Sequence, residues 1–117
     1  MMRKLIFIIS GMILFTTSCS KDKTVYGIAD CPDPISFSDD VKPIINLNCA
    51  TSGCHDANTT TPYKFIDHED ISANADLILS VIRHESGVTP MPLGGNQIAD
   101  SLIKKIECWV IQGKLDN

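Results

Sequence analysis

Five cysteines in a chain of 117 residues set the first constraint on what this sequence can become. The N-terminus has the layout of a secretory signal. Arg3 and Lys4 form a positive n-region, Leu5 to Phe15 is an apolar run of 11 residues, and the small residues Thr16, Thr17 and Ser18 lead to Cys19. The apolar run is too short to cross a bilayer as a stop-transfer helix. Export places the rest of the chain in oxidising surroundings, where unpaired thiols are uncommon. Cleavage after Ser18 leaves 99 of the 117 residues. A domain of that length buries only about two-thirds of its unfolded surface. It gains from a staple: a disulfide, a metal or a large cofactor.

The residues before Cys19 resemble a bacterial lipobox, in which the cysteine becomes the acylated first residue of the mature protein. Thr16 stands where leucine is commoner, and Ser20-Lys21-Asp22-Lys23 makes a polar tether of the usual kind. The resemblance implies an exported protein anchored by lipid to a bacterial membrane, on its periplasmic face or at the cell surface. With Cys19 assigned to lipid, Cys31, Cys49, Cys54 and Cys108 remain, an even number that disulfides or ligation can fully occupy. Loss of Arg3 and Lys4 with the signal takes 10 basic residues to 8 against 14 acidic, a net charge of −6. That balance argues against nucleic-acid binding, which needs a basic footprint. It suits an encounter with a basic partner surface.

The chain divides into a signal at 1–18, a tether at 19–34 and one domain at 35–117. Pro32 and Pro34 end a stretch without apolar periodicity. Ser36 or Ser38 can cap a first helix with Asp39 and Asp40 in its opening turn. Val41, Ile44, Ile45 and Leu47 give that helix an apolar face, and Pro43 makes it short or kinked. Residues 56–66 read as loop. A second helix is expected from about Asn74 to His84, with Leu77, Ile78, Val81 and Ile82 on one side. Gly87, Pro90, Pro92, Gly94 and Gly95 mark a second loop over 86–95. Ile98, Leu102, Ile106 and Trp109 or Val110 recur at helical spacing in a third helix, which Gly113 stops. No segment alternates long enough to make a strand, so the fold class is all-α.

The chemistry concentrates in Asn48-Cys49-Ala50-Thr51-Ser52-Gly53-Cys54-His55. Two cysteines followed at once by a histidine is the logic of c-type haem attachment. Each thiol adds to a haem vinyl group, and the adjacent histidine supplies a nitrogen to the iron. The usual spacing is Cys-x-x-Cys-His, whereas four residues intervene here. On a continuous helix, five steps separate two cysteines by about 7.5 Å along the axis, against about 4.5 Å for three. The extra pair must bulge, and Gly53 accepts turn conformations cheaply. The residues alone also admit a Cys49–Cys54 disulfide, or a zinc site on Cys49, Cys54 and His55 that lacks an obvious fourth ligand. In Thr89-Pro90-Met91-Pro92, 36 residues after His55, a methionine is fixed between two prolines. A thioether on a rigid loop suits the far side of a histidine-ligated haem iron, while a gap-filling core methionine is the plainer reading.

Together these segments resemble the small exported cytochrome c domains of bacteria. Phe37 to Ile45 with Asn48-Cys49 is similar to that family's helix leading into the haem motif. Pro90-Met91-Pro92 with Gly94-Gly95 is similar to its methionine loop, and Ile103 to Gly113 to its C-terminal helix. The resemblance implies a helical cytochrome c fold with one covalent haem c. It makes Cys49 and Cys54 the thioether donors, His55 the proximal ligand and Met91 the distal one. The wider cysteine spacing is the departure. His68 and His84 are alternative sixth ligands, set against solvated histidines beside Glu69 and Glu85. The terminal segments of such folds lie together, which implies a Cys31–Cys108 disulfide. Trp109 reads as core, its indole N–H needing a partner such as a haem propionate.

The resulting expectation is a membrane-tethered electron carrier with a redox partner protein, rather than an enzyme. The alternatives are a haem-free exported binding module held by Cys49–Cys54 and Cys31–Cys108 disulfides, and a haem peroxidase in which Met91 is displaced. The anchor is open to direct test. Cells fed a radiolabelled fatty acid should label the wild-type chain and not Cys19→Ala; equal labelling of the two would end the lipoprotein reading.

Overall fold

The computed structural model of the chain describes residues 30–117, so the signal at 1–18 and Cys19 lie outside the described residues. Every regular element among the described residues is helical. A π-helical turn, Phe37–Val41, runs into α1, Lys42–Asn48. Then come α2, His68–Ala73, α3, Ala75–Ile82, and α4, Asp100–Ile111. No helix among them is long and apolar enough to cross a membrane.

Of the two candidate caps, Ser36 takes the role. Its Oγ accepts from the Asp39 N–H at 3.2 Å, and Asp40 Oδ2 accepts from the Ser36 N–H at 3.1 Å. The pair satisfies donors that the first turn would otherwise leave open. Pro43 lacks an N–H and sits in the first turn of α1, where the missing donor costs least. Val41, Ile44 and Ile45 are buried as the periodicity predicts, but Leu47 is 77% exposed.

The helix expected from Asn74 to His84 is α3, and a further short helix, α2, precedes it. Asp67 caps α2, its Oδ1 accepting from the Asp70 N–H at 3.0 Å. Asn74 then ends α2 and begins α3. Its Nδ2 donates to the Asp70 carbonyl at 2.8 Å, a side-chain bond that competes with helix continuation. The buried face of α3 is Ala75, Ile78, Leu79 and Ile82. Leu77, Ile78, Val81 and Ile82, which the periodicity places on one side, all line one cavity.

Helix α4 holds the domain together. Trp109 is fully buried. Its ring lies 5.6 Å from that of Phe37 and 5.8 Å, edge-on, from that of His68. The indole N–H donates to the Leu115 carbonyl at 2.9 Å, so the backbone supplies the partner that a haem propionate was expected to supply. Gly113 adopts φ +98°, and the Lys114 N–H returns to the Trp109 carbonyl at 2.9 Å, closing the helix in a left-handed cap.

Three clamps fasten the N-terminal segment to α4 and the residues after it. Cys31 and Cys108 are joined by a disulfide with Cα atoms 5.4 Å apart. Gln112 Oε1 accepts from the Ile35 N–H, and its Nε2 donates to the Asp33 carbonyl, both at 2.8 Å. Asn117 Oδ1 accepts from the Phe37 N–H at 2.8 Å. Between α3 and α4, Arg83 pairs with Glu107, which is only 5% exposed. On the surface, Lys105 Nζ meets Asp40 Oδ1 at 2.7 Å. The Lys105 bond holds the Asp40 carboxyl below its ordinary value. That contribution is present above the usual carboxylate pKa and disappears as pH falls through the lowered one.

These contacts differ in weight. The disulfide spans 77 positions, and in the chain-entropy model such a loop contributes about 4 kcal/mol. An exposed pair such as Asp40–Lys105 contributes under about 1 kcal/mol. Urea titration should therefore show the double variant Cys31→Ala/Cys108→Ala losing several times more stability than Asp40→Asn. Equal losses would mean the two ends of the chain do not need the covalent tie.

Candidate functional site

The motif begins where α1 stops. Cys49 caps the helix, its N–H donating to the Ile45 carbonyl at 2.8 Å. The next residues form turns rather than helix. Gly53 takes φ +79°, a left-handed conformation that favours glycine, and so provides the bulge the wide cysteine spacing requires. The Cys54 N–H donates to the Thr51 carbonyl at 2.9 Å, and the His55 N–H to the Cys49 carbonyl at 3.1 Å. The loop thereby folds back on itself and sets Cys49, Cys54 and His55 on the wall of one cavity.

That cavity has a volume of about 560 Å³, inside the range of cofactor and small-molecule sites. Its walls are the motif loop, residues 61–65, the outward side of α3 and the loop from Val88 to Ile98. The lining is predominantly apolar. Met91, on that last loop, reaches the same cavity as the motif. The four residues singled out in sequence are therefore brought together. His68 and His84 do not line it: His68 Nε2 donates to the Lys114 carbonyl at 2.8 Å, and His84 Nε2 meets the Met91 carbonyl at 3.0 Å.

His55 is held from behind. Its Nδ1 lies 2.8 Å from the Tyr63 carbonyl. A carbonyl can only accept, so Nδ1 carries the hydrogen and the lone pair of neutral imidazole falls on Nε2. This is the arrangement in which a histidine ligates a metal through Nε2, its tautomer fixed by a backbone acceptor. The Phe65 ring lies 4.7 Å from the imidazole, and the Phe65 N–H donates to the His55 carbonyl at 3.0 Å. Tyr63 contributes through its main chain, which no side-chain pattern announces. Phe65 is buried but stands in a stretch whose composition reads as loop.

Both motif thiols are free, with Cys49 partly buried and Cys54 exposed. Among the described residues no three His, Cys, Asp or Glu side chains converge as a metal ion would require. Burial, with a smaller contribution from neighbouring Cys54, pushes the Cys49 thiol up to about 11. Comparison with protein-family models, with curated proteins and with solved structures gives no match to this chain.

The two thiols should differ in reactivity. At pH 8 a thiol near 11 is thiolate in only about one molecule in a thousand. Timed alkylation of the haem-free chain, followed by peptide mass mapping, should modify Cys54 at least about tenfold faster than Cys49. Equal rates would show that the cavity wall does not shield Cys49.

Proposed function

We propose that this chain is a membrane-tethered c-type cytochrome, a small cytochrome c-like domain that carries electrons through one covalently bound haem. Cys49 and Cys54 would hold the haem by thioethers, and His55 and Met91 would ligate its iron. The observation that carries the reading is convergence. Residues up to 42 positions apart, of the types such a site needs, share one apolar cavity. The donor set fits the group: two free thiols, an imidazole with its tautomer fixed, and a thioether on a proline-flanked loop.

Bound haem supplies a one-electron ferric–ferrous couple. The chain's own residues set the conditions for it. Tyr63 orients His55 and fixes its tautomer through the Nδ1 hydrogen bond. Pro90 and Pro92 each fix a backbone angle, so the loop loses little entropy in presenting Met91. A thioether ligand favours the reduced state and raises the potential. Ile78, Val81, Ile82 and Ile98 exclude water from the cavity. With His55 and Met91 both committed to the iron, the site would suit electron transfer rather than oxygen or peroxide chemistry. Cys49 and Cys54 are both free thiols, which supports thioether formation. The lipid on Cys19 confines the domain to a membrane surface, and its acidic charge suits a basic redox partner.

Protein matured in a host competent for cytochrome c assembly should stain for haem at the chain's own position after denaturing electrophoresis. A correctly processed band that does not stain would overturn the proposal. Cys49→Ala should leave one thioether and weaken retention. Met91→Ala should keep covalent haem, lose the long-wavelength methionine–iron charge-transfer band that the family resemblance implies, and lower the potential. Retention of that band without Met91 would assign the distal position to another residue.

A further inference from the structure

We infer that His84 is a positioning residue for Met91, locking the methionine loop onto the end of α3. The inference rests on the reading of Met91 as distal ligand. Helix α3 ends in a left-handed turn. The His84 N–H donates to the Val81 carbonyl at 3.2 Å, and the Glu85 N–H to the Ser80 carbonyl at 3.1 Å. In this cap the residue in His84's place is usually glycine. His84 occupies it at φ +53°, a conformation that strains a residue with a side chain.

The strain accompanies a contact that glycine cannot make. His84 Nε2 lies 3.0 Å from the Met91 carbonyl, and because that oxygen only accepts, Nε2 carries the hydrogen. On its other side, the Met91 N–H donates to the Val81 carbonyl at 3.0 Å. Both polar groups of the Met91 main chain are therefore fastened to the C-terminal turn of α3. That helix also presents Leu77, Ile78, Val81 and Ile82 to the cavity, so the lock fixes the methionine relative to the wall it faces. His84 itself does not line the cavity and acts only through Met91.

An added ligand binds ferric iron at the sixth position only when the methionine is off, so its affinity reports how firmly the loop is held. Imidazole titration of the ferric holoprotein should show about tenfold tighter binding in His84→Gly than in wild type. That change corresponds to about 1.4 kcal/mol and lies within the range of one hydrogen bond. His84→Gln, which keeps an N–H donor of similar reach, should return towards the wild-type affinity. Glycine relieves the positive φ, so the urea midpoint of His84→Gly should not fall; a purely structural role would move that midpoint and leave the imidazole affinity alone. Unchanged affinity in His84→Gly, or equal tightening in both variants, overturns the lock while leaving the haem reading intact. A wild-type chain without covalent haem overturns both.

Discussion

The rest of the domain depends on the burial of Trp109. Its indole touches Phe37 from the first turn and His68 from α2, and donates to the carbonyl of Leu115. An aromatic side chain of this size removes roughly 150–250 Å² from water, a gain of about 4–6 kcal/mol. It thereby touches the start, middle and end of the domain at once. The Cys31–Cys108 disulfide, Gln112 and Asn117 then fix segments that Trp109 has already brought together. A chain with so little interior needs this concentration of hydrophobic and covalent ties in one place.

Anchoring both ends to α4 leaves the middle of the chain to build the cavity. Its walls come from the motif loop, residues 61–65, α3 and the Val88–Ile98 loop, of which only α3 is regular structure. Loops placed by a helical frame are where binding residues concentrate. The apolar residues turned to this space, together with the exposed Leu77 and Leu93, are what a large apolar group would cover. The polar contacts in the same region mostly orient: Tyr63 holds His55, and the end of α3 holds Met91.

Much of the fold was legible because local chemistry was consistent with it. The serine cap followed by two acids, Pro43 near a helix start and Gly113 at a helix end each have a physical meaning that survives into the structure. The misreadings have physical causes too. Asp67 caps α2 through the Asp70 N–H, a short helix that apolar periodicity does not predict. Periodicity groups Leu77, Ile78, Val81 and Ile82, which do share one side, but it cannot show that this side borders a cavity. Leu47 has the right spacing for the core and yet is exposed.

The sequence by itself determined the residue types of the candidate site, an all-helical class and a chain too small to do without a staple. These follow from short-range facts: spacing, proline and glycine positions, and the number of cysteines. Only the tertiary structure decided that His55, Met91 and the two motif cysteines share one cavity, that Trp109 finds its acceptor in the backbone, and that His84 hydrogen-bonds the Met91 carbonyl. Each of these joins a side chain to a main-chain group or wall supplied by another segment. A backbone carbonyl has the same composition at every residue, so its placement becomes visible only when the chain is folded.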